Sequence, residues 1–154
     1  MPHYFPPVST RAPLELRGGI ECTLNRVGDV YFDQYAWSGH DTRIEDLERI
    51  AELGIRTLRY GVVWERVARH GGEEYDWSRA DERLNRLREL NITPIVGLLH
   101  HGSGPRDTDL LDPFFSEKFA VYARAFSERC PWVEYYSPVN EPLTTARFCG
   151  PYGH

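Results

Sequence analysis

Near its end the chain reads Ser137-Pro138-Val139-Asn140-Glu141-Pro142, an amide and a carboxylate side by side after an apolar and aromatic run. A carboxyl group can give or take a proton, and an amide beside it can both donate and accept hydrogen bonds. The same six residues also read as a turn, since Asn and Pro are turn formers and Glu can be solvated there. Three other apolar runs end on groups of similar capability: Glu21, Trp64-Glu65 and His100-His101. A His at such a place is more often structural and a Trp more often packing, but four such ends in succession are harder to set aside. Arg59 lies inside the run "TLRYGVV", on the alternate face from Leu58 and Tyr60. A guanidinium among apolar neighbours stays charged and needs carboxylate or similar partners, in a structural ion pair or in a site.

These residues need elements to position them. "ELGIRTLRYGVVW" and "ELNITPIVGLLHH" share a template in which a helical pattern turns on Gly54 or Asn91 and enters an apolar strand. Gly and Asn tolerate the left-handed conformation that closes a helix. Ile44, Leu47, Ile50 and Ala51 lie at helical spacing before Gly54, with Thr42 and Glu45 placed as a capping box. Ala80, Leu84 and Leu87 repeat the pattern more weakly after Ser78 as N-cap. A third helix is predicted over 116–129, with Phe119, Ala123 and Phe126 inward, leading to a strand over 133–139. A first strand over 16–22 completes an alternation of strands and helices, which implies parallel βαβ units.

Two architectures fit: an open doubly wound sheet or part of a (β/α)8 barrel. "LRGGIECTLNRVGD" has no GxGxxG and no helix opening on it, which disfavours the open nucleotide-binding sheet. In a parallel barrel all the strand ends above lie on one face, where active sites are built.

At 154 residues, 41% hydrophobic and 13% aromatic, the chain can bury a core. Its net charge of -5, with basic and acidic residues interspersed, argues against nucleic acid or an anionic membrane as partner. The three cysteines form no CxxC pair, so neither a disulfide framework nor a zinc knuckle is indicated. Adjacent histidines on a strand point to opposite faces, and no HExxH motif is present, so no metal and no other cofactor is expected. No apolar run approaches a membrane span, and the Pro-rich start lacks a signal-peptide core; a cytoplasmic protein is expected.

"RYGVVWERV", "PIVGLLHHGSGP" and "NEP", in this order, resemble the second-, third- and fourth-strand motifs of the family 1 glycoside hydrolases (β-glucosidase-like), and "GPYGH" is similar to the stretch beyond them. The chain is also similar to glycosidase-like N-terminal domains fused to sugar-nucleotide reductases. The resemblance implies a Pro-rich lead over 1–14, then the N-terminal half of a (β/α)8 barrel over 15–154, truncated after its fourth strand. It implies Glu141 as general acid/base, Asn140 on the sugar 2-hydroxyl, His100 on a glycone hydroxyl, and Arg59 orienting the nucleophilic carboxylate. Glu21 and Trp64 join as candidates for substrate binding. The implied activity is retaining O-glycoside hydrolysis on a carbohydrate substrate. The family's Trp after the third-strand His is His101 here, and the acidic residue after it is Gly102. The nucleophile belongs to the seventh strand, so these residues alone are expected to be inactive and to need the missing half barrel or self-association. The alternative is a sugar-recognition or regulatory domain that kept the pocket without hydrolysis.

Overall fold

A computed structural model of the chain describes residues 14–27, 30–71 and 74–149. In chain order the elements are β1 (Arg17–Ile20), β2 (Leu24–Val27), β3 (Val30–Asp33), α1 (Gln34–Ser38), α2 (Glu45–Glu52), β4 (Thr57–Gly61) and α3 (Trp64–Val67). They continue with α4 (Ser78–Glu89), β5 (Thr93–Leu99), α5 (Phe115–Arg129), β6 (Tyr135–Val139) and α6 (Pro142–Cys149). The Pro-rich lead, apart from Leu14, and the stretch over 150–154 lie outside the described residues.

Four strands form one sheet in the order β1-β4-β5-β6, every pair parallel. A doubly wound sheet would reverse its strand order at a switch point. Here spatial order follows chain order, the winding of a (β/α) barrel, and the fold is four βα-type strands of that architecture. β2 and β3 pair antiparallel as a separate hairpin, which the sequence reading did not anticipate. A signal for it exists: two short runs separated by Gly28-Asp29, a spacing and composition typical of hairpins.

The pleat divides the sheet into two chemically different faces. Leu58, Tyr60, Val96 and Leu98 turn to the helices and are buried with Leu47, Leu84, Leu87, Tyr122 and Phe126. Register places Arg59, Gly61, Gly97 and Ser137 on the opposite face. The expected separation of Arg59 from Leu58 and Tyr60 therefore holds. Tyr122 knits the helix side together: its ring stacks on Trp64 and on Trp77, with centroids 5.7 and 5.9 Å away. Its hydroxyl donates to the Val62 carbonyl at 2.6 Å, and burial raises its pKa well above the usual phenol value.

Helix ends match the sequence reading in part. Gly54 (φ 80) and Asn91 (φ 54) both take the left-handed conformation after α2 and α4. The capping box does not form: α2 begins at Glu45 without a side-chain cap, and the Thr42 hydroxyl instead donates to Gly39 O at 3.2 Å. Ser78 is the first residue of α4 rather than its cap. Asp76 accepts from both its backbone N–H (3.0 Å) and its hydroxyl (2.5 Å), so the acid takes the role assigned to the serine. The last strand begins at Tyr135, two residues later than predicted. No helix among the described residues is long and apolar enough to cross a membrane.

Phe126 is fully buried between α5 and the sheet. Truncating such a ring removes its burial and leaves a cavity, at a cost of about 3–5 kcal/mol. Phe126→Ala is expected to lower the unfolding free energy by that amount, read as a lower urea midpoint; Tyr122→Phe, which strands one carbonyl, costs roughly 1–3 kcal/mol. An unchanged midpoint in Phe126→Ala would contradict this packing.

Candidate active site

The C-terminal ends of β1, β4, β5 and β6 bring Glu21, Arg59, His100, His101, Asn140 and Glu141 into one linked cluster. Arg59 is its centre. Nε lies 2.7 Å from Glu21 Oε1, an ion pair by distance rather than an aligned hydrogen bond. Nη2 donates to Ser137 Oγ at 2.6 Å and to Asn140 Oδ1 at 2.8 Å. The guanidinium is half-buried rather than enclosed, with 31% of its side chain exposed, so water still reaches it. Gly97 makes room for this pairing, since a Cβ there would approach Glu21 Oε1 to 3.3 Å. Burial raises the Glu21 pKa, and Arg59 only partly offsets that effect.

Arg59 also fixes the neighbouring amide. With Oδ1 turned to the guanidinium, the Asn140 amide nitrogen faces His101 Nε2 at 2.8 Å. An amide nitrogen can only donate, so His101 Nε2 accepts and its proton resides on Nδ1. Glu141 Oε2 then approaches the same Nε2 at 3.5 Å without a hydrogen between them. His100 Nδ1 meets Thr23 Oγ1 at 2.9 Å. Burial lowers the His100 pKa, aided by His101 and Arg59 nearby, so this ring is neutral at neutral pH.

Two backbone features aim these groups. β5 stops at Leu99, and His101 adopts φ 53; β6 stops at Val139, and Glu141 adopts φ 44. Left-handed residues other than Gly carry a backbone cost and concentrate at functional sites. The kink at His101 corrects the expectation that the two histidines face apart: their rings meet edge to face with centroids 4.8 Å apart. Pro142 follows Glu141 because it opens α6, where a missing N–H costs nothing. Among the described residues, no group of three or more His, Cys, Asp and Glu gathers as a metal site.

Trp64 is not part of the cluster. It starts α3 and is 3% exposed, packed against Phe115, Phe119 and Tyr122 on the helix side. The chain turns into a helix directly after β4, which carries the ring away from the strand end and out of reach of a ligand. Thr23 and Ser137 were missed in sequence. Ser137 had a positional signal, lying within the last strand on the face of Arg59, whereas Thr23 follows β1 with no pattern to mark it.

Glu65 has another task. It is 1% exposed, and Oε1 accepts from Gly104 N at 2.8 Å, tying α3 to the loop after β5. A Cβ on Gly102 would fall within its carboxyl group, so glycine at 102 makes this contact possible. Burial pushes the Glu65 pKa up to about 7 against weaker opposition from hydrogen bonds to backbone N–H groups and from Arg26.

No protein-family model matches the chain. Coniferin β-glucosidase of Pinus contorta is 31% identical over 147 residues, spanning 88% of this chain and 27% of the relative. The family 1 β-glucosidase structure from Thermotoga maritima superposes with a TM-score of 0.60 at 25% identity, over 71% of this chain and 26% of that one. β-Glucosidase 2 from Trichoderma reesei gives a TM-score of 0.56 at 26% identity, over 70% of this chain and 27% of that one. The fold is thus that of a (β/α)8 barrel, in part, with polar groups collected where such barrels carry their sites. Resemblance to the family 1 glycoside hydrolases is shown in both sequence and fold. The chain spans about a quarter of the length of these relatives.

A buried acid whose pKa is raised on folding favours the folded state while it stays protonated and opposes it once ionised. Stability associated with Glu65 is therefore present below about pH 4.5 and lost as pH rises through about 7. Glu65→Gln keeps an acceptor for Gly104 and removes the ionisation. Denaturant titrations from pH 4.5 to 8 are expected to show a gain over the parent that grows with pH, to the order of 3 kcal/mol. A gain independent of pH would remove this account of Glu65.

Proposed function

We propose that this chain is the acid/base side of a glycoside-cleaving site that acts on β-glucosides, the class named for its relatives. The observation that carries the reading is the linked cluster at the strand ends, with Glu141 reached through Arg59, Asn140 and His101. A glycosidic oxygen leaves poorly unless protonated, and Glu141, with 60% of its side chain exposed, is open to donate a proton to a bound sugar. Asn140 retains a second amide hydrogen for the 2-hydroxyl, a bond that strengthens as oxocarbenium character grows. His100, neutral, offers Nε2 to a glycone hydroxyl while Thr23 engages Nδ1. In this reading Arg59, paired with Glu21, orients a nucleophilic carboxylate contributed from elsewhere.

In a protein that carries this strand end together with its nucleophile, Glu141→Gln is expected to lower kcat/KM on unactivated β-glucosides about 10²–10⁴-fold. Aryl glucosides with good leaving groups need less protonation and should lose far less in the cleavage step. Equal activity of the variant and parent on cellobiose would refute the assignment.

We propose further that these 154 residues do not hydrolyse glycosides unaided. Retaining hydrolysis uses two carboxyl groups about 5–5.5 Å apart across the sugar. Glu21, the other acid of the cluster, is held against Arg59. Among the described residues, no strand pairs with the outer edge of β1 or of β6, which favours association with further chain or another copy. Light scattering is expected to report species larger than the monomer, and p-nitrophenyl β-glucoside turnover should stay at the background rate. A monomer with Glu141-dependent turnover would contradict both statements.

A sugar-recognition role is the second reading, favoured by His101 and Gly102 where the resemblance would place Trp and an acid. Saturable glucoside binding by the complete protein, with no turnover in parent or Glu141→Gln, would select it.

A further inference from the structure

Little holds the side chain of Glu141. It is 60% exposed, on a residue with φ 44 just past the end of β6. A group that must pass a proton to one particular oxygen needs to be held to within about 0.5 Å. Among the described residues, His101 Nε2 is the only cationic or hydrogen-bonding partner that reaches the Glu141 carboxyl, at 3.5 Å.

In this structure that contact holds nothing. The Asn140 amide donates to Nε2 at 2.8 Å and occupies its lone pair. Two neighbours thus compete for one ring atom. Asn140 can use Nε2 only as an acceptor, whereas an ionised Glu141 can use it only as a donor. A single proton decides between them. When Nε2 takes a proton from solvent, it has no lone pair left for the amide, and its N–H can turn to Oε2. An imidazole makes this exchange near neutral pH. The Trp that the family resemblance would place at 101 could not, because an indole has a permanent N–H and no lone pair.

Charges bear on that proton from several elements. Glu141, between β6 and α6, favours it, as does Glu21 beyond β1. Arg59 of β4 opposes it through Asn140, which bonds to both residues, but Arg59 is itself paired with Glu21 at 2.7 Å. His100, its ring centroid 4.8 Å away, is neutral at neutral pH. Glu65 of α3 lies against Gly102, one residue on, with Oε1 engaged by Gly104 N.

We propose, resting on the glycoside reading above, that His101 is the positioning residue of Glu141 and works by exchange of one proton. Unprotonated, it holds Asn140. Protonated, it releases the amide and clamps the Glu141 carboxylate, the form that must take a proton from water in the second half of a retaining reaction.

The test needs no turnover. Long-range 1H–15N spectra of the purified chain, with its histidines labelled, report the tautomer and charge of His101 from about pH 9 down to about pH 5. The neutral ring is expected to carry its proton on Nδ1 and to gain the second on Nε2. Glu141→Gln removes the carboxylate and should lower the His101 midpoint by about one pH unit. His101→Gln keeps an acceptor for Asn140 but cannot take a proton. The Asn140 side-chain amide signals should therefore move with the His101 midpoint in the parent and stay still in this variant. Either variant decides alone if the other fails to fold. An Nε2–H neutral tautomer, a midpoint unmoved by Glu141→Gln, or Asn140 signals indifferent to His101 would overturn the proposal. A shifted midpoint without glucoside turnover in a complete protein would uphold the exchange and remove the glycoside reading alone. An unmoved midpoint with Glu141-dependent turnover would do the reverse.

Discussion

The polar end of the sheet depends on one cation held among strands. Arg59 projects from β4 toward Glu21 beyond β1 and toward Ser137 and Asn140 at β6. A guanidinium cannot shed its charge, so the protein surrounds it with acceptors instead. Each acceptor is thereby oriented. The Asn140 amide is turned by Arg59, and the turned amide then selects the tautomer of His101 beside Glu141. One charge, balanced by Glu21, sets the directionality of the hydrogen bonds that run from β4 to Ser137, Asn140 and His101.

The two faces of the sheet divide the work. On the helix side, aromatic rings from α3, α4 and α5 stack on one another, and the Tyr122 hydroxyl satisfies Val62 just beyond β4. This side fixes where the strands end. On the other side small residues, Gly61 and Gly97, leave volume for polar groups rather than for packing. Burial then tunes the acids and bases differently by position, raising Glu21 and Glu65 and lowering His100.

Much of this was legible in the sequence where local rules govern. Gly54 and Asn91 announce helix ends because few residues accept a left-handed backbone, and both behave so. Arg59 stood out because a charge within an apolar run must find partners. The readings that failed involve tertiary competition. Trp64 looked like part of a strand end, but α3 starts there and the core claims the ring. Thr42 matched a capping pattern, yet its hydroxyl donates back to the Gly39 carbonyl and α2 starts at Glu45 without a side-chain cap. The facing of His100 and His101 turned on a single positive φ that a strand periodicity cannot encode. Ser137 and Thr23 carry no chemistry alone and gain meaning only from the groups they meet.

The bond between Glu65 and Gly104 has a consequence for how such a chain can vary in length. It pegs the segment after β5 to α3, and Gly102 cannot move off the carboxyl without exposing a buried acid. Insertions and deletions between His101 and Gly104 would shift the peg and drag His101 with it. Farther along, beyond Thr108, Leu111 is 77% exposed, and the hydrogen bonds of Asp109, Leu111 and Asp112 are to near neighbours in the chain. Length changes can be absorbed at that point without altering the strand end, so indel variation among chains of this kind should collect around Leu111 and spare the few residues behind the histidines.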